Sequence, residues 1–183
     1  MTSPRGRPGP YLWIMAVVIV LDQATKWIVD RFMTLHESHE IVDGFLNLTY
    51  VRNRGAAFGI LSDAELPFQA ALFSLLSLAA LAAIALYAWR LPAASRLPRT
   101  ALALIMGGAV GNLVDRMRLG YVIDFVDAYL GAHHWPAFNV ADSAISVGVV
   151  LLVLDMLWHP QSEPETPAER PAPRVSAASP GGD

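Results

Sequence analysis

At 183 residues the chain has the length of one domain, yet 54% of it is hydrophobic and only 16% charged, against about a quarter charged in soluble domains. It has no cysteine, which excludes disulfides, thiolate catalysis and Cys-based metal sites. The formal net charge of −3 argues against nucleic acid as the main partner, and the mean hydropathy of +0.40 points to a bilayer instead.

A short tail, residues 1–10, carries Arg5 and Arg7 and leads into an apolar run from Tyr11 to Val29, broken near its end by Asp22, Gln23, Thr25 and Lys26. No small-x-small cleavage site follows, so this reads as an uncleaved first helix rather than a secretory signal. Asp22 and Lys26 are four apart and share a helical face, which suits an ion pair, structural or part of a site. The segment from about 31 to 67 is not a simple linker. Asp43-Gly44 lies between two β-prone stretches and predicts a hairpin. Gly55 and Gly59 in RGAAFGI follow it, where unusual backbone angles or close contacts are expected. His36 and His39 with Glu37 and Glu40, and the pair His133 and His134, show no HExxH spacing and read as interfacial side chains. No metal or cofactor is expected.

Phe68 to Trp89 has no charge and no polar face, so it predicts a second spanning helix. The link RLPAASRLPR holds Arg90, Arg96 and Arg99 and no acid, whereas residues 30–67 mix three arginines with six acids. Positive charge collects on the cytoplasmic side, so this link and both termini are expected inside and residues 31–67 in the periplasm. Thr100 to Val114 is a shorter third span that must borrow flanking residues, and Gly107, Gly108 and Gly111 suggest close approach of a neighbour. It ends in GNLVDRM, where Asn112, Asp115 and Arg116 project from one side. Arg116 suits neutralising a carboxylate, orienting a substrate carbonyl, or snorkelling to the interface.

Asp124 follows in the apolar context YVIDFV, outside the spans, where the plainest role is a cap or turn. Val140 to Trp158 is the fourth span. Asn139 is placed to cap it and to hold Asp142 in its first turn, where the helix dipole favours the ionised form. Residues 160–183 are rich in Pro, Ala, Ser and Glu and are expected to be a disordered cytoplasmic tail. The expected fold is thus mainly α and polytopic, with four transmembrane helices over 11–159 and a small β-rich periplasmic segment.

Two carboxylates beside apolar runs are costly and call for a reason. Asp124 and Asp142 near one membrane face can share a proton, one acting as base and the other as acid, which is the chemistry of an aspartyl protease. A proton-coupled transporter also uses membrane carboxylates, but it needs them near the midplane, where these spans are bare. A non-enzymatic scaffold has no need of the Asn and Arg cluster.

The order DQATK, NRGAAFG, GGAVGNLVDR, YVIDF and FNVADS, over residues 11–158, resembles the lipoprotein signal peptidase, or signal peptidase II, family. The resemblance implies an aspartic endopeptidase of the bacterial inner membrane that removes signal peptides from diacylglyceryl-modified prolipoproteins, cutting before the lipidated cysteine. It implies that Asp124 and Asp142 are the catalytic pair. Asn53, Asn112, Arg116 and Asn139 match site-lining residues, and Asp22 and Lys26 match a first-helix motif; Asp22, Lys26 and, at the end of helix three, Asp115 are expected in a structural, supporting role. It further implies inhibition by the cyclic peptide globomycin.

Overall fold

The computed structural model describes residues 9–55, 68–92 and 94–158. The Pro-rich tail, most of the N-terminal tail, and residues 56–67 with Gly59 lie outside the described residues. Four helices are long and apolar enough to cross a membrane: α1 (Gly9–Phe32), α2 (Gln69–Arg90), α3 (Arg96–Leu119) and α4 (Val140–Trp158). At 1.5 Å per residue each reaches roughly 28–36 Å, enough for a ~30 Å hydrocarbon core. The third helix extends beyond the apolar stretch at both ends, taking in Arg96 and Arg99 before it and Asp115 and Arg116 after it.

Polarity is turned inside out, as burial in lipid rather than water requires. On α1 the buried stripe is Val18, Asp22, Lys26 and Val29, one helical face, while Leu12, Trp13, Val20 and Trp27 point outwards. Helix α3 is central and packs against the other three. Its glycines permit this. A Cβ on Gly107 would lie 3.0 Å from that of Val18 on α1, and one on Gly111 would lie 2.5 Å from Asp22 Oδ2. On Gly108 it would overlap the Ala141 carbonyl of α4. Small residues thus let three backbones close in where no hydrophobic force drives helices together. Gly120 ends α3 in the left-handed region at φ 80°, its N–H donating to the Arg116 carbonyl at 3.1 Å.

The expected hairpin is present. β1 (Ser38–Val42) and β2 (Leu46–Asn53) pair antiparallel, with Gly44 at φ 71° in the connection. The sheet is larger than the sequence reading foresaw. β3 (Val122–Leu130) pairs with β2, and β4 (His133–His134) with β3, in the order β1-β2-β3-β4. Asp124 therefore sits within a strand, opposite Val51, rather than at a turn. Side chains alternate faces along a strand. Ile123 and Phe125 pack with Tyr50 and with Val29 of α1 in a small core, which leaves Val122 and Asp124 on the opposite face, towards α2, α3 and α4.

Candidate active site

The polar residues singled out in the sequence converge where the sheet meets the ends of α1, α3 and α4. They form two adjoining clusters. In the first, Lys26 Nζ lies 2.9 Å from Asp22 Oδ2 and 3.0 Å from Asp115 Oδ2, all three side chains being fully buried. The backbone completes the set: Ala141 N–H, in the first turn of α4, donates to Asp22 at 3.0 Å, and Ile123 N–H donates to Asp115 at 3.2 Å. Gln23 reaches Asp115 at 2.9 Å and the Gly111 carbonyl at 3.1 Å. A charged knot thus ties three helices and a strand, and every buried side-chain nitrogen and oxygen among the described residues has a partner.

The second cluster holds Asp124 and Asp142, served by amides. Asn139 donates from Nδ2 to Asp124 Oδ1 at 2.7 Å, and Asn53 from Nδ2 to Asp124 Oδ2 at 3.0 Å. Asn112 donates from Nδ2 to Asp142 Oδ1 at 2.8 Å. Each amide is oriented by what its oxygen accepts. The Asn53 oxygen takes the Gly55 N–H (2.9 Å), the Asn112 oxygen takes the Lys26 ammonium (2.8 Å), and the Asn139 oxygen takes the Asp142 N–H (3.0 Å). An ammonium cannot accept and a backbone N–H can only donate, so all three NH₂ groups are forced towards the carboxylates. The Asn139 N–H donates back to Asp142 Oδ2 at 3.2 Å, a reciprocal cap at the start of α4. The capping role expected of Asn139 and the placement of Asp142 in the first turn are both observed, and they coexist with a place in the cluster.

Asp124 is 2% exposed. Burial, followed by the nearby Asp142 carboxylate, pushes its pKa up to about 7, against the pull of the Asn53 and Asn139 donors. Arg116 makes no ion pair with a carboxylate among the described residues. It donates to the Gly55 carbonyl at 3.1 Å and lies 5.7 Å from the centre of the Phe73 ring.

Both carboxylates line a cleft of about 350 Å³ between α2, α3, α4 and the sheet. Its polar end is Asn53, Asn112, Arg116, Asp124 and Asp142, and its walls are apolar, from Phe73 and Leu76 along α2 to Ile84. The twelve residues from Phe73 to Ile84 span ~16 Å of helix rise, so the cleft runs from the dyad well along the bundle. The structure thus gathers Asn53, Asn112, Arg116, Asp124 and Asp142 around one cavity, with Asn139 beneath it and Asp22, Lys26 and Asp115 alongside. The sequence reading missed Gln23, whose position next to Asp22 was the available signal, and the Gly55 backbone, which orients Asn53.

A family model described as Signal peptidase (SPase) II matches residues 14–158. The lipoprotein signal peptidase of Geobacter metallireducens is 53% identical over 144 residues, 79% of this chain and 88% of that one. That of Geobacter sulfurreducens is 55% identical over 141 residues, 76% and 86% of the two chains. That of Geobacillus kaustophilus is 47% identical over 148 residues, 81% and 93% of the two chains. A bacterial membrane enzyme solved by the in meso method at 2.3 Å resolution superposes with a TM-score of 0.78 at 31% identity, covering 90% of this chain and 98% of its own. Five motifs in register, four spanning helices and this likeness over most of the chain agree: the protein is an integral-membrane peptidase belonging to the signal peptidase II family.

Proposed function

We propose that the protein is an aspartic endopeptidase that cuts diacylglyceryl-modified prolipoproteins before the lipidated cysteine, with Asp124 and Asp142 activating water. Removal of signal peptides from lipoproteins is the work of the family. The observation that supports the aspartic mechanism best is the dyad at the polar end of an apolar cleft, each carboxylate held by amides whose direction is fixed. We assign the resting proton to Asp124, pushed up to about 7, which leaves the negative charge on Asp142. Two like charges so placed titrate as a unit.

In the proposed reaction the Asp142 carboxylate takes a proton from water as the water oxygen attacks the scissile carbonyl. Asp124 gives its proton to the carbonyl oxygen, and the C=O becomes a tetrahedral diol. The proton taken up by Asp142 then passes to the amine nitrogen, the C–N bond breaks, and one diol hydroxyl returns its proton to Asp124. No metal takes part. Asn112 and Asn139 hold the two carboxylates in position, and Arg116 and Asn53 line the polar end where the peptide lies. The apolar walls along α2 receive the substrate's hydrocarbon, so that acyl chains position the cysteine beside the dyad. The same cleft is the site we assign to globomycin. Both termini face the cytoplasm and the dyad faces the periplasm, across the bacterial inner membrane, on the strength of the arginines between α2 and α3. By this reading residues 11–159 form the peptidase and the tail from 160 is dispensable.

The deciding experiment incubates the purified protein in detergent with one preprotein in lipidated and unlipidated form, with and without EDTA, and scores signal-peptide release. Cleavage of the lipidated form alone, unaffected by chelator, is expected. Equal cleavage of both forms would remove the lipid requirement, and metal-restored loss of activity would remove the dyad mechanism.

A further inference from the structure

The bundle holds a second cleft, at the end away from the sheet. Tyr11 and Met15 of α1, Ala88 and Trp89 of α2, and Arg99 and Ala103 of α3 contribute to its walls. It encloses about 420 Å³, a volume within the range of small-molecule sites. The cleft exists because α2 packs mainly on α3, which leaves a slot beside α1.

Among the described residues Arg99 is the single charge in the wall. Its guanidinium is fixed by the Pro92 carbonyl at 3.1 Å and the Leu91 carbonyl at 2.5 Å, and lies 5.8 Å from the centre of the Tyr11 ring. Those bonds use two of the five N–H donors of an arginine, and the other three have no partner among the described residues. Arg90 and Arg96 are exposed at the same end, and neither forms an ion pair among the described residues. In stretches 9–15, 85–92, 94–106 and 151–158 the single acid is Asp155, on α4, which contributes nothing to the wall. Trp13, Trp89 and Trp158 are all more than half exposed at this end. Such a belt of tryptophans marks headgroup depth, so an apolar slot opens to lipid with a guanidinium at the height of lipid phosphates.

We propose that this cleft binds an anionic phospholipid, one acyl chain in the slot and the phosphate on Arg99, with Arg90 and Arg96 selecting a net negative headgroup. Basic pockets between helices suit such headgroups, at about 1 kcal/mol or roughly five-fold in affinity per nearby arginine. A bound lipid would tie α2 to α1. Because α2 also walls the cleft that holds the carboxylates, occupancy would steady that wall too. The site stands apart from the peptidase reading and is tested by binding.

The test is native mass spectrometry of the full chain in detergent, titrated with phosphatidylglycerol or phosphatidylcholine of the same acyl chains. One phosphatidylglycerol is expected to be retained, at least about five-fold more strongly than phosphatidylcholine. Arg99→Gln, the double variant Arg90→Gln/Arg96→Gln, and Ala88→Phe, which fills the slot, should each lower retention about five-fold or more. Arg118→Gln, at the far end of α3, and Asp124→Asn should retain lipid as the unaltered chain does, the latter even where cleavage is lost. The double variant leaves the Arg99 carbonyl bonds intact, so it decides the matter if Arg99→Gln fails to fold. Equal retention of both lipids would overturn the proposal, as would unaltered retention by Ala88→Phe and the double variant together. A matching loss in Arg118→Gln would do the same. So would a gain of about five-fold or more on truncation after Pro160, since the chain's own acidic tail would then be the occupant.

Discussion

The two carboxylate clusters lie side by side and are built differently. Around Lys26, two aspartates meet one ammonium and two backbone N–H groups. Around Asp124 and Asp142, two aspartates meet only amides and the Asn139 N–H. Charge in the first cluster is matched as far as one lysine allows, and its groups are sealed from the cleft. The second has no cation bonded to either carboxylate among the described residues and opens to a cavity. Asn112 touches both, its oxygen on Lys26 and its nitrogen on Asp142. Matching charge fixes structure, while withholding it keeps a carboxylate titratable near neutral pH. We read the first cluster as scaffold and the second as chemistry.

The largest expected effect breaks that division of labour at the second cluster. Asp124→Asn and Asp142→Asn keep shape and remove titration. Each should lower the rate of signal-peptide release by about 10²–10⁴-fold, the usual size of a lost general acid or base, while the protein stays folded and inserted. Near-normal turnover by either well-folded variant would sink the assignment.

The next effect is on stability. Lys26→Met leaves Asp22 and Asp115 buried without their cation, and breaking a buried pair in this way costs about 3–5 kcal/mol. A lower unfolding midpoint in detergent is expected for Lys26→Met and not for Asp124→Asn. A Lys26→Met protein as stable as the original but inactive would place the lysine in the chemistry and erase the contrast.

Much of this arrangement was legible in the sequence. The four spans follow from apolar length, the Asp43-Gly44 turn from its residue types, and the capping of α4 from the Asn139 and Asp142 spacing. All rest on local rules. β3 was missed, although residues 121–130 are rich in β-branched and aromatic residues. Its partner lies about seventy residues earlier in the chain, and apolar sequence just outside a span resembles a membrane edge as much as a strand. The pairing of Lys26 with Asp115, or of Asn53 with Asp124, could not be read from spacing either, since each depends on how elements far apart in sequence pack. Arg116 illustrates the limit: its helical position was evident, but its partner is a backbone carbonyl contributed by a loop.

A smaller effect concerns pH. The ordinary Asp value of 3.8 is raised to about 7 at Asp124, so between those values the folded protein holds a proton that the unfolded chain has released. Its contribution to stability is therefore full below about pH 4, falls as pH rises through about 7, and is level beyond. Asp124→Asn should flatten this dependence. Activity needs one proton on the pair, so kcat/KM should decline above about pH 7. A profile rising through pH 8, in a protein whose unfolding midpoint ignores pH, would contradict both the raised value and the proton assignment.

The finest test separates two amides that look alike. Asn112 serves both clusters, whereas Asn53 serves Asp124 through a donor held by the Gly55 N–H. Asn112→Leu should lose activity and stability together, because it also strips the Lys26 ammonium of an acceptor. Asn53→Leu removes a donor that holds the Asp124 pKa down, so that pKa rises further. A hydrogen bond to a charged group is worth about 1.5–3 kcal/mol and 1.36 kcal/mol is one pH unit, so the alkaline limb of kcat/KM should move up by about one to two units. Comparing pH profiles and unfolding midpoints of the two variants decides it. If Asn53→Leu keeps its stability and leaves the limb where it was, Asp124 is already ionised below it and the proton belongs on Asp142 instead. If both variants lose stability equally and neither shifts the limb, the two clusters behave as one unit, and the distinction between scaffold and chemistry fails.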